Sequence, residues 1–345
     1  MKRLKSIYTV ISIHLVGILL IMSCDTFIPD DIDALEDGLS FSTREFTPYM
    51  GRTTVYDNSL SATNKTSLPL SFKILDIKDV DGESVPNILD RKFPVSIWID
   101  SYTGLEKSIE EIAKKRKTEY RPAIEIQEKS GNFIFWNTTS FLDLQTSPYD
   151  GYSMDISISN SGGSIIDRGI KLKPFKARPY EPSRYDQNTG LAAGTYVYPK
   201  SVYNIQGEKS GFIETDIRIN FVKDYDNKTP GNTLTISAVD SLYRPIDIKK
   251  FNSTKWNSLV HGFNHRFVGP KVVYDVMFPM PLVPLKTPYT NSDGTLASIT
   301  LSYNRLNGFG RQEDAFLDFD FAIYEEGHWE IVFRFAGESP KFDND

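Results

Sequence analysis

Apolar and polar residues alternate strictly through stretch after stretch of this chain, and a period of two is the signature of a β-strand with one buried face. In GYSMDISISNS (151–161), Tyr152, Met154, Ile156 and Ile158 share one face, while Ser153, Asp155, Ser157 and Ser159 share the other. ETDIRINFV (214–222) sets Ile217, Ile219 and Phe221 against Asp216, Arg218 and Asn220. HWEIVFRF (328–335) sets Trp329, Ile331, Phe333 and Phe335 opposite His328, Glu330 and Arg334. A helix would scatter each apolar set around its circumference. Between the runs stand Asp81-Gly82, Asp150-Gly151, Gly162-Gly163, Asp293-Gly294 and Glu326-Gly327, which are hairpin turn signals.

Many short strands with close turns predict a mostly β fold of two antiparallel β-sandwich, immunoglobulin-like modules. A chain of 345 residues is long enough for two domains of about 150. The segment KPFKARPYEPSRYDQNTGLAAGTYVYP (173–199) is rich in Pro and Gly and has no period. The expected division is therefore an N-terminal sandwich over 41–176, a crossing loop over 177–199 and a C-terminal sandwich over 200–345. One segment breaks the β pattern. YTGLEKSIEEIAKKRKTEYRP (102–122) carries an apolar stripe of Leu105, Ile109, Ile112 and Ala113, a Thr103/Glu106 capping spacing and Glu–Lys pairs four apart. It predicts one amphipathic helix near 104–118, with Lys114-Lys115-Arg116-Lys117 at its dipole-favoured C-terminal end.

The N-terminus is of another kind. A basic head, Lys2, Arg3 and Lys5, precedes an apolar run ending Ile21-Met22-Ser23-Cys24, and Cys24 is the single cysteine. The run is short for a membrane span and has the layout of a secretory signal. Its end resembles a bacterial lipobox, which implies a signal peptide over 1–23, lipidation of Cys24 and anchorage to a lipid bilayer. Residues 24–40 are rich in Asp and Glu and lack Lys and Arg, as a solvated tether would be. Acid directly after the cysteine resembles the export signal of outward-facing Bacteroidetes lipoproteins, so the outer membrane's exterior face is the expected location. Loss of Lys2, Arg3 and Lys5 makes the body three charges more negative than the −6 of the whole chain. So acidic a body is ill suited to nucleic acid.

Catalytic signatures are sparse. His261 and His265 are four apart, but no Glu of the HExxH type lies between them and no third ligand is near. Gly262 and Asn264 oppose a regular helix there, so these histidines read as loop or packing residues. Asp318 and Asp320 alternate with Leu317, Phe319 and Phe321 on a solvated strand face, and Asp79 and Asp81 lie in a turn. Neither pair carries the burial that a raised acid pKa requires. There is no G-x-S-x-G, P-loop or G-x-G-x-x-G sequence, and the expectation is no catalytic residue, no metal and no cofactor.

Aromatic residues are the remaining resource, because a sugar offers apolar C–H faces rimmed by hydroxyls. In PVSIWID (94–100), Val95, Ile97 and Ile99 take one face and Ser96, Trp98 and Asp100 the other. Trp98 is then either covered by the following helix or exposed as a platform, with Asp100 beside it. Tyr180 and Tyr185 in the crossing loop and Trp256 before LVHGFN complete the candidate ligand-binding set. Trp329 reads as core, and Trp136 lies in a run apolar on both faces. Asp240-Ser241-Leu242 matches a short O-glycosylation pattern of exported Bacteroidetes proteins, with Ser241 as the acceptor.

The lipobox, WIDSYTGLEKSIEEI (98–112), KSGNFIFW (129–136), RPYEP (178–182), LVHGFN (259–264), GFG (308–310) and FAIYEEGHWEIVFRF (321–335) together resemble a family of uncharacterised Bacteroidetes outer-membrane lipoproteins. The resemblance implies a setting in systems that capture and import polysaccharides, beside outer-membrane transporter proteins. It supplies no catalytic residues. The expected function is a non-catalytic, surface-tethered lipoprotein that binds glycan or assists polysaccharide uptake. The alternative is a structural or adhesive lipoprotein holding a protein partner.

Overall fold

A computed structural model describes residues 33–62, 65–137 and 144–345. Cys24, the signal segment and the first part of the acidic tether lie outside the described residues. The chain is mostly β, as the alternation requires, and two separate apolar cores organise it.

The first core draws on residues 39–172. Its principal sheet has the order β1 (Glu45–Phe46), β9 (Gly163–Leu172), β8 (Tyr152–Asn160), β3 (Ser71–Lys78). A three-stranded sheet of β2 (Thr54–Tyr56), β7 (Phe133–Phe135) and β6 (Ile124–Ile126) covers it. Phe41, Phe46 and Phe133 pack between them, with ring centroids 5.3 Å apart for Phe41–Phe133 and 4.4 Å for Phe46–Phe133. β8 buries Tyr152, Met154, Ile156 and Ile158 as its alternation predicts. Its Asp155 is buried as well, because register shifts beside it let Lys78 and Arg168 reach its carboxylate at 3.1 and 3.2 Å. The β4 (Lys92–Trp98) and β5 (Arg116–Pro122) pair forms a separate two-stranded ribbon over Val95, Ile134 and Trp136.

The second core lies between two sheets. One runs β12 (Ile217–Lys223), β19 (His328–Phe335), β13 (Thr233–Val239), β16 (Lys271–Asp275), β15 (Phe263–Val268), with β14 (Pro245–Ile246) joined to β13. The other is built on β18 (Gln312–Ile323), which pairs with β10 (Tyr180–Glu181), β11 (Ser201–Tyr203) and β17 (Ala297–Leu306). Phe221, Phe319 and Phe333 interlock across the gap, the last two edge to face at 6.0 Å. This is a sandwich-like layout, but it is not purely antiparallel: β13 runs parallel to β19, and β1 to β9.

Three local expectations are corrected. The long helix is reduced to α2 (Ile109–Lys114), which follows the single-turn α1 (Asn87–Asp90). Ser108, not Thr103, caps α2 by accepting from the Glu111 amide at 3.2 Å, and Glu111 in turn accepts from the Lys107 amide at 2.8 Å. Gly104, at φ +75°, keeps residues 103–107 out of the helix. Arg116 and Lys117 enter β5 because β4 would otherwise have no partner, and backbone pairing overrides the helix propensity of a Lys/Arg run. Glu326-Gly327 makes no hairpin, since β18 and β19 belong to different sheets and the turn carries the chain between them. Tyr180 lies in β10 inside the second core, not along a cleft.

Candidate functional site

The modules meet along two contacts built from the same residue types. In the first, the Arg52 guanidinium is sandwiched between Tyr49 and Tyr324, at 4.4 and 4.0 Å from their ring centroids. It pairs with Glu181 at 3.0 Å. Arg178 donates to the Tyr49 hydroxyl at 3.3 Å, and Tyr49 donates to Gln187 at 2.8 Å. Arg52 is largely buried, and this contact is closed.

The second contact is open. β4 ends at Trp98, and the chain continues through a loop that Glu106 holds in place. Glu106 accepts from the Thr103 amide and hydroxyl, both at 3.0 Å, and from Lys115 at 2.6 Å. Lys115 also donates to the Ser101 carbonyl at 2.7 Å. Burial opposes ionisation of the Glu106 carboxyl, but the Lys115 and Thr103 hydrogen bonds prevail and hold it down at about 2. Gly104 lies against the other module: a Cβ there would sit 2.5 Å from Thr287 Cγ2.

From this loop Tyr102 donates to His261 Nδ1 of the second module. His261 Nε2 faces the Glu106 carbonyl at 2.9 Å. A carbonyl only accepts, so the imidazole proton is assigned to Nε2 and Nδ1 is left as acceptor. The ring lies flat on Tyr289, 4.8 Å away with 1° between planes. Burial first, then the Glu106 charge and Tyr289, push the Tyr102 hydroxyl well above the usual tyrosine range, so it stays a proton donor.

In front of this cluster an open groove of about 560 Å³ runs between Trp98, Asp100 and Tyr102 on one wall and Val283, Pro284 and Leu285 on the other. Trp98 is half-buried, 5.5 Å from Tyr102, and the Arg116 guanidinium lies 5.3 Å from its centroid. Arg116 Nε is buried without a hydrogen-bond partner. Asp100 is exposed at the mouth and accepts from the Ser101 amide at 2.7 Å. The groove therefore offers an aromatic face, a carboxylate and an apolar proline-bearing wall. Among the described residues that line it there is no pair of carboxylates and no nucleophile–base pair.

Trp98 and Asp100 are thus brought together as the β4 alternation predicts. The other candidates lie elsewhere. Tyr180 stacks on Phe221 at 4.2 Å and its hydroxyl accepts from Arg184 at 3.0 Å, so it is a core residue, with burial foremost in pushing its pKa up to about 12. Tyr185 packs edge-on against Tyr180 at 5.9 Å. Trp256 is a half-buried anchor beside Phe267, and its carbonyl accepts from the Tyr274 hydroxyl at 2.7 Å. None of these three lines the groove. His265 lies against Tyr274, apart from His261, with a bulge between Phe263 and Arg266 separating their settings. Among the described residues no group of three His, Cys, Asp or Glu could hold a metal ion. Ser241 sits at the turn after β13. There Asp240 pins the chain by accepting from the Leu242 and Arg244 amides, both at 2.9 Å, so this aspartate has a structural role of its own.

Sequence reasoning missed Tyr102, Glu106, Arg116 and Tyr289: Glu106 and Arg116 fall within the expected helix, and Tyr102 lies just before it. Gly104 was the signal available there, a helix breaker four residues before α2's cap.

Among the described residues no helix is long and apolar enough to cross a membrane. No match was found among curated proteins. Residues 60–344 match a family described as "Domain of unknown function (DUF5007)". That span covers the second core, most of the first and both walls of the groove, so this chain belongs to the DUF5007 family.

Proposed function

We propose that the protein is a non-catalytic, surface-tethered lipoprotein of the Bacteroidetes outer membrane that binds glycan and assists polysaccharide capture. The observation that carries this reading is the half-exposed Trp98 ring with Asp100 at the mouth of an open groove. Sugar recognition uses this pairing of an aromatic platform with a polar rim. The absence of a facing acid pair in the groove favours binding over hydrolysis. Cys24 supplies the lipid anchor, and an outer-membrane transporter is the expected neighbour. Titration with soluble polysaccharides tests the groove: Trp98→Ala should weaken binding at least about tenfold, the loss of roughly one good stacking contact. Unchanged affinity would remove the groove from the site. Fatty-acid labelling of cells making the wild type or Cys24→Ser tests the anchor, and equal labelling would overturn it.

A second reading, an adhesive scaffold, is favoured by β15, which ends its sheet with Val268 56% exposed. Such an edge can accept a strand from a protein partner. A partner retained by the wild type and lost when Val268 is changed to Pro, with no polysaccharide bound, would favour it.

A further inference from the structure

The outer face of the second module carries features that the groove does not use. β17 and β18 turn Ser298, Thr300, Ser302 and Asn304, and Asp320, Asp318, Phe316 and Asp314, away from the core, because their alternate residues fill it. On this face Tyr203 of β11 lies directly opposite Phe316, and the rings stack at 5.1 Å with 21° between planes. Tyr203 is 57% exposed, so the pair forms a ledge open to solvent. Two residues further along the strands, about 7 Å, Asn304 stands opposite Asp314. There the face opens into a cleft of about 380 Å³ whose lining includes Asn252, Asn304, Gln312 and Asn344. Asn304 donates to Ser253 at 2.7 Å, and Asn344 accepts from the Leu306 amide at 2.7 Å. Asn252 donates to the Asn304 carbonyl at 3.2 Å and accepts from the Asn304 backbone amide at 2.9 Å and Ser253 at 3.2 Å, and Gln312 donates to Asp314 at 3.0 Å. An amide has four hydrogen-bonding positions, so Asn304, Asn344 and Gln312 keep most of theirs while Asn252 is largely engaged.

Towards the other end, Asp318 accepts from Ser201 at 2.7 Å and from Thr300 at 2.6 Å, while Asp320 pairs with Lys200 at 2.7 Å. Arg305, beside the cleft, is held by Glu313 at 2.9 Å and Asp345 at 3.2 Å. Lys341 also pairs with Asp345, and the Lys250 ammonium lies 5.3 Å from the centroid of Phe342 in the cleft lining. Among the described residues Asp314, Asp318 and Asp343 have no ion-pair partner, so the face stays net acidic. An apolar ledge, a row of amides and hydroxyls and a net negative field match a chain with C–H faces, many hydroxyls and no charge of its own.

We infer that this face is a second binding site, specific for neutral glycans, in which a sugar ring lies on the Tyr203–Phe316 ledge and its neighbours reach the Asn304 cleft. It shares only the class of ligand with the groove reading and uses different residues, so the two stand or fall separately. The test is titration of the purified protein with hexasaccharides of glucose, xylose and mannose, with oligogalacturonate as the acidic control. At least one neutral hexasaccharide should bind. Tyr203→Ala should raise its Kd about tenfold or more, Asn304→Ala should raise it less, Tyr203→Phe should preserve it, and oligogalacturonate should not compete. Binding lost in Trp98→Ala but intact in Tyr203→Ala and Asn304→Ala would overturn this site and leave the groove. Loss in Tyr203→Ala with Trp98→Ala unaffected would support the ledge and overturn the groove. Preference for oligogalacturonate, or no binding of any neutral probe, would overturn the proposal. Circular dichroism of each variant separates lost binding from lost fold, and Asn304→Ala keeps the question answerable if Tyr203→Ala does not fold.

Discussion

The two contacts between the modules use one vocabulary, arginine against aromatic rings with a carboxylate nearby, and reach opposite results. Around Arg52 the rings close on both faces of the guanidinium and Glu181 completes it. Around Arg116, among the described residues, one ring is present, the guanidinium reaches only the Phe278 carbonyl at 3.4 Å, and Nε has no hydrogen-bond partner. Burial disfavours the Arg116 charge and Glu326 only partly restores it, so its pKa lies below the usual arginine value. Among the described residues Arg52 Nε and Arg178 Nε are likewise buried without a hydrogen-bond partner, so the two contacts differ in access: the first encloses its guanidinium and can only hold. The second keeps Trp98 and Asp100 accessible along an open groove, which is what a ligand requires.

Mutations should separate holding from binding. The largest effect is expected for Arg52→Ala, which leaves Glu181 only the longer Arg178 pair at 3.9 Å and removes two cation–π contacts. A loss of about 3 kcal/mol is expected in equilibrium urea unfolding, and a loss near zero would mean that the closed contact does not hold the modules. Gly104→Ala comes next, at about 2 kcal/mol, because the new methyl meets Thr287 and the backbone stays at φ +75°. Thr287→Ser should recover part of that loss in a double-mutant cycle, and strict additivity would deny the contact.

The third effect is pH dependence. The Glu106 carboxyl sits at about 2 in the folded chain, below its unfolded value of about 4.3. The unfolded state therefore binds the proton first. Stability is fully present above about pH 4.3 and falls as pH drops towards 2, by on the order of 2 kcal/mol. Glu106→Gln should flatten that part of the unfolding profile, and an unchanged slope would place the titration elsewhere. The smallest effect on stability belongs to Trp98→Ala, about 1 kcal/mol for a half-buried ring. Its mark should be on binding, which is the asymmetry that distinguishes a platform from a clasp.

The strands were legible because alternation is a local code: Ile217, Ile219, Phe221 and Trp329, Ile331, Phe333, Phe335 are buried as their spacing requires. The pairing of those strands was not legible. β13 lies parallel to β19 across nearly a hundred residues, and no local pattern states a parallel neighbour. The candidate site divides in the same way. Trp98 and Asp100 were visible as misfits on a strand's polar face. Glu106 and Arg116 were hidden because a Glu/Lys-rich stretch satisfies helix rules equally well. Tyr180 misled because a tyrosine among prolines reads as loop, while β10 pairing with β18 carries it into the core.

By itself the sequence determined what each short segment wants: β-strand from period two, and turns from Asp-Gly and Glu-Gly. Those preferences depend on neighbours a few residues apart. Only the tertiary structure decided that α2 stops at Lys114, that Tyr102 reaches His261 across 159 positions, and that Tyr203 meets Phe316 on an open face. Such contacts join residues distant in the chain, and their free energy appears only once both cores have formed and fixed the modules against each other.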